Sequence, residues 1–141
     1  MDRGVEQYNV ASIKEFLYRS AEGDQGFVQV VRQAFPYLTA VLQTLKNDGV
    51  VPSPPPSDLQ NAVERVAHLW SAAQQVNASQ AMVFFMGLHS FLTIVMQHRV
   101  VVSSTNYDAI QLRLGQSVKG IEEWVESGRT ERMAIQSVLP P

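Results

Sequence analysis

The stretch Ala81-Met82-Val83-Phe84-Phe85-Met86-Gly87-Leu88-His89-Ser90-Phe91-Leu92-Thr93-Ile94-Val95-Met96 decides the fold. It contains no Asp, Glu, Lys or Arg and is flanked by Gln80 and Gln97. It is too long for an ordinary strand, so its continuous apolar run reads as a helix. A membrane span needs about 20 mostly apolar residues, and this run is broken by Gly87, His89, Ser90 and Thr93. Apolar side chains fall nearly all the way round it, with Ser90, Thr93 and Gln97 on one narrow line. Such a helix belongs at the centre of a bundle or against a partner.

Working outward, Ser79 is a plausible cap for this helix. Before it, Leu59, Val63, Val66, Ala67, Trp70 and Ala73 recur at helical spacing, opened by Ser57-Asp58-Leu59-Gln60, a capping-box pattern, and ended near Asn77. Earlier still, Phe27, Val31, Ala34, Leu38, Val41, Leu42 and Leu45 form a long stripe that Asn47-Asp48-Gly49 stops. Pro36 lies inside it, which predicts a kink or break near Phe35, because proline removes a hydrogen bond and crowds the preceding turn. A short helix is expected from Ser12-Ile13-Lys14-Glu15, a second capping box, to Gly23. After the apolar run, Val100-Val101-Val102 favours extended backbone. A last helix then follows Ser103-Ser104-Thr105, carrying Tyr107, Ile110, Leu114, Val118, Ile121, Trp124 and Val125 and ending at Ser127-Gly128.

The expected fold is therefore all-α: four main helices arranged as two αα-hairpins, a short N-terminal helix and a proline-rich connector. Residues 1–141 form one helical domain, with an N-terminal arm at 1–11, the connector at 50–57 and a C-terminal tail at 129–141. Pro54-Pro55-Pro56 favours polyproline II, and a stiff link between helices is the plainest use for it. Tyr37-Leu38-Thr39-Ala40-Val41-Leu42-Gln43 resembles Phe91-Leu92-Thr93-Ile94-Val95-Met96-Gln97, a weak internal repeat that accompanies the repeated hairpin layout.

Composition narrows the function. Apolar residues make up 45% and charged residues 17% of the chain. The first 70 residues hold six Lys/Arg and eight Asp/Glu, and the remainder five of each, so no basic stripe offers itself to nucleic acid. There is no cysteine, which removes disulfides, thiol catalysis and thiolate metal sites. Met1-Asp2-Arg3-Gly4 lacks the pattern of a secretory leader, and the expected location is cytoplasmic.

No constellation for catalysis emerges. Glu64 and His68 share a helix face, but His89 and His98 lie on another helix, nine residues apart and about half a turn out of register. Zinc usually takes at least three protein ligands, so no metal is expected. His89 lacks the nearby nucleophile and orienting group that a general base requires. Glu122, Glu123 and Glu126 form an exposed arc rather than facing acids across a cleft. Gly115 and Gly120 sit in a helical pattern, without the strand-turn-helix setting of a phosphate loop. The expectation is no enzyme, no cofactor and no catalytic residue.

The surface points elsewhere. Gln, Ala and Ser stand where Lys and Glu are usual, as on surfaces that become covered. Val30, Leu69 and Leu112 lie off the main stripes. The expected role is a non-catalytic interaction or assembly module, a homo-oligomer or a subunit of a larger complex. Candidate interface positions are Leu69, Phe84, Phe85, Leu88, Phe91 and Leu112. Two alternatives stand beside it: a coat or filament building block contacting nucleic acid through arginines such as Arg99 and Arg113, and a binder of a small apolar ligand between helices.

Overall fold

The computed structural model describes residues 2–141. The chain is an all-α bundle of four helices: α1 Asp2–Asp48, α2 Ser57–Gln75, α3 Ser79–Met96 and α4 Ser104–Gln136. No strand occurs among the described residues, and 100–103 is irregular backbone.

The expected short N-terminal helix is not separate. It continues into the next through Gly23, and residues 2–11 belong to the same helix rather than to an arm. A continuous buried stripe carries α1 across the glycine: Leu17, Asp24, Phe27, Val31, Ala34, Leu38, Leu42 and Leu45. A Cβ at Gly23 would make an ordinary contact, 3.4 Å from Val76 Cγ1 just past the end of α2. Pro36 does not break α1 either. A mid-helix proline costs about 3 kcal/mol, but it lies on the exposed side, while Ala34 and Leu38 are locked in the core.

The two capping boxes do not form. Ser12 lies well inside α1, and Glu15 pairs with Arg19 at 2.7 Å. At α2 the cap position is Pro56, with no side-chain cap bond, and Gln60 Nε2 donates to the Pro55 carbonyl at 3.0 Å. The side-chain cap that does form is Ser103, whose Oγ accepts from the Asn106 amide at 3.2 Å. α2 and α3 both stop on residues with positive φ, Asn77 (58°) and His98 (59°). In each case the following amide returns to a carbonyl five residues back, Ala78 to Ala73 and Arg99 to Ile94, as in a Schellman stop. α4 passes through Ser127-Gly128 and takes in residues 129–136 of the expected tail.

The helices pack as an open arc in the order α3, α2, α1, α4. α1 and α4 run antiparallel, tied by Lys46–Asp108 (2.6 Å), Arg32–Glu122 (2.9 Å) and Arg132–Asp24 (2.8 Å). α2 meets α1 where the Tyr37 hydroxyl donates to the Asp58 carbonyl at 2.9 Å and Arg65 lies 4.4 Å over the Tyr37 ring. The tightest pairings are α2 with α3 and α1 with α4, so α3 and α4 do not close into the second expected hairpin. One core runs through the arc, with Phe85, Leu38, Leu42, Leu59, Leu69, Leu92 and Leu114 out of water.

Candidate functional site

The arc leaves α3 on its edge. Ala81, Phe85, Leu88, Leu92 and Val95 are its buried positions, 28% of the helix. A position at the centre of the bundle, one of the two places the sequence allowed, is thereby excluded. By length and composition alone α3 is long and apolar enough to cross a membrane. Its buried side is nevertheless built into the core that α2 shares.

Between α3 and α4 lies a groove of about 900 Å³. The Phe91 and Tyr107 rings meet edge to face at 5.9 Å near the connector that joins these helices. From Phe91 the groove runs to the α2–α3 turn at Asn77–Ser79, and on the other wall from Ala109 to Trp124. At 1.5 Å per residue each wall is roughly 20 Å long. Leu88, Ala81 and Ile121 form the floor, since they are buried and also line the groove. Val83, Phe84 and Phe91 rise from α3, and Ile110, Ser117 and Trp124 from α4. Val83 is 65% exposed, so the apolar wall is open to water along its rim. Trp124 is braced from behind by Phe27, edge to face at 6.4 Å.

Two glycines widen the space. Gly87 and Gly120 line the groove, and a Cβ on either would meet no atom within 4 Å. Arg113 is the single charged residue in the lining. It donates to Gln116 Oε1 at 3.1 Å, on its own helix, and among the described residues no carboxylate pairs with it. Among the described residues the lining holds no histidine or carboxylate. Among the described residues no three His, Cys, Asp or Glu come together to hold a metal. Glu64 and His68 are both exposed on α2, whereas the His89 ring lies tilted at 50° beside Trp70 with ring centres 6.3 Å apart.

The sequence-derived interface positions divide. Phe84 and Phe91 are half-buried on the groove wall, and Leu88 is part of its floor. Phe85 lies wholly in the core. Leu69 is 1% exposed, which corrects its reading as an off-stripe surface residue. α2 is sandwiched between α1 and α3, and its buried positions are Leu59, Ala62, Val66, Leu69 and Ala73: Leu59, Val66 and Ala73 belong to the expected stripe, Ala62 and Leu69 are added, and Val63, Ala67 and Trp70 are half-buried. Leu112 is 63% exposed and lies outside the groove. Val83, Ile110 and Trp124, which the sequence reading did not place at an interface, belong to the site. The available signal was the pair of mid-helix glycines, costly to a helix unless the missing side chain serves a purpose.

No protein-family model, curated protein or solved structure matches this chain.

Proposed function

We propose that this chain is a non-catalytic protein-interaction module whose docking surface is the α3/α4 groove, and whose occupant is a helix of a partner protein. The observation that carries this reading is the uncovered apolar face of α3 along a groove roughly four helical turns long. An apolar helix face left in water costs about 25 cal/mol for every Å² that a partner would cover. Two helical walls, an apolar floor and an open rim suit an amphipathic helix laid lengthwise, with anchors at i, i+3/i+4 and i+7. A small apolar ligand fits the volume, but it would leave much of so long and open a trough in water. The scattered charge and the single groove arginine give no support to nucleic acid as the occupant.

The test is selection of a displayed library of amphipathic helical peptides on the folded chain, followed by counter-screening on Gly120→Leu. That substitution fills the groove from a position with no neighbour to displace. The expected result is a set of binders sharing an apolar stripe and lost on Gly120→Leu, with helicity and melting temperature retained. Absence of binders, or binders indifferent to the substitution, contradicts the proposal. Sedimentation of the chain alone tests self-association: an oligomer that Gly120→Leu dissolves would make a second copy the occupant.

A further inference from the structure

We infer that the groove selects an acidic helix, and that a carboxylate of the occupant pairs with Arg113. This rests on the reading of the groove as a helix-docking site and adds to it the charge and register of the partner. Every other described lining residue is apolar or neutral, and among the described residues no carboxylate reaches Arg113. A guanidinium has five N–H donors, and here Gln116 accepts from one nitrogen, Nη1. Arg113 is exposed, so its remaining donors are open to solvent. A helix laid over the rim removes that solvent, and covering a charge without an acceptor is costly. An occupant that brings a carboxylate replaces the lost hydration with a charge-assisted, two-pronged bond. An occupant that brings lysine or arginine to the same place is rejected by like charge.

The position of Arg113 makes this specific. It lies one turn from Ala109, at the end of the groove nearer the connector, and eleven residues from Trp124 at the other end, roughly 16 Å along the helix. The occupant's acid and its farthest apolar anchor are therefore about three turns apart, with further apolar residues on the turns between. Gly120 and Gly87 leave room for bulky anchors, so Leu, Phe or Trp fits those turns.

The test is parallel selection of one displayed library of helical peptides, with an apolar stripe held fixed and all other positions varied, on the wild-type chain and on Arg113→Glu. The expected result is enrichment of Asp or Glu at one position about three turns from the terminal anchor on wild type, replaced by Lys or Arg at that position on Arg113→Glu. A representative acidic binder is expected to weaken about tenfold or more on the variant, the equivalent of about 1.4 kcal/mol. Binders that depend on the open groove but show no charge preference, or the same preference on both chains, overturn the inference and leave the docking reading standing. Failure to select any groove-dependent binder overturns both. Stoichiometric binding of a fatty acid such as oleate, abolished by Arg113→Glu and tighter than any selected peptide, overturns the helix as the source of the carboxylate.

Discussion

Arg132 reaches across from α4 to place Nη1 2.8 Å from the Asp24 Oδ2 of α1, and both side chains are almost out of water. Nη1 also lies 3.3 Å from Ser20 Oγ, so one guanidinium joins two turns of α1. Losing one member strands the other, and breaking such a pair costs about 3 kcal/mol. Asp24→Ala is therefore expected to lower the urea midpoint sharply. Asp24→Leu combined with Arg132→Leu should recover most of the loss, because two apolar side chains replace the desolvated charges. A double variant no more stable than Asp24→Ala would contradict this account of the pair.

Gly128 sits beside that ion pair, and this is the physical reason for a glycine within α4. A Cβ there would lie 3.3 Å from Arg132 Nη1 and 3.4 Å from Asp24 Oδ2. At Gly120 a Cβ meets open space. Alanine in place of glycine in a helix interior gains about 0.5–1 kcal/mol. Gly120→Ala should realise that gain, whereas Gly128→Ala should fall short of it, because the methyl must shift the guanidinium. Equal gains in thermal melts would contradict the crowding at Gly128.

Leu69 and Leu112 lie at opposite extremes of exposure. Leu69→Glu buries a charge without a mate and is expected to cost several kcal/mol, a large part of the stability of a small domain. Leu112→Glu, on a free surface, should change stability by no more than about 0.5 kcal/mol. Circular dichroism of the two variants separates them directly, and a folded, stable Leu69→Glu would contradict the core described for α2.

Much of this architecture is legible in the sequence, because long apolar stripes at helical spacing dominate it. The stripe from Phe27 to Leu45 is buried throughout, and Asn47-Asp48-Gly49 ends α1 as its turn residues require. Where the structure departs from the sequence pattern, tertiary packing overrides a local signal. Gly23 and Gly128 look like helix stops, yet α1 and α4 run through them, and at Gly128 the Arg132–Asp24 pair crowds the place of a side chain. Ser12-Ile13-Lys14-Glu15 has the composition of a cap but lies inside a longer helix. The groove was only half legible. The apolarity of α3 demands burial, but which helices pack most closely, and that α3 and α4 meet at Phe91 and Tyr107 yet leave a groove between them, depends on long-range packing that periodicity does not encode.

The Tyr107 phenol is pushed above its ordinary pKa by burial. Unfolded, it ionises near pH 10, while folded it holds its proton to higher pH. The folded state thus binds more protons above that point, and stability falls as pH rises past about 10. Tyr107→Phe keeps the edge-to-face ring contact with Phe91 and removes the titration. Melting temperatures from pH 8 to 11 should decline more shallowly in the variant. Parallel declines would show that Tyr107 does not carry the effect.

The most direct test of the docking account uses Trp124, one of two tryptophans in the chain and part of the groove wall. In a Trp70→Phe background Trp124 is the sole indole emitter. Titration with a helical peptide selected on the wild-type chain is predicted to move its emission to shorter wavelength, saturating at one peptide per chain, with no change when Gly120→Leu is added. A peptide that sediments with the chain yet leaves Trp124 emission unaltered would place the interaction elsewhere and contradict the central claim.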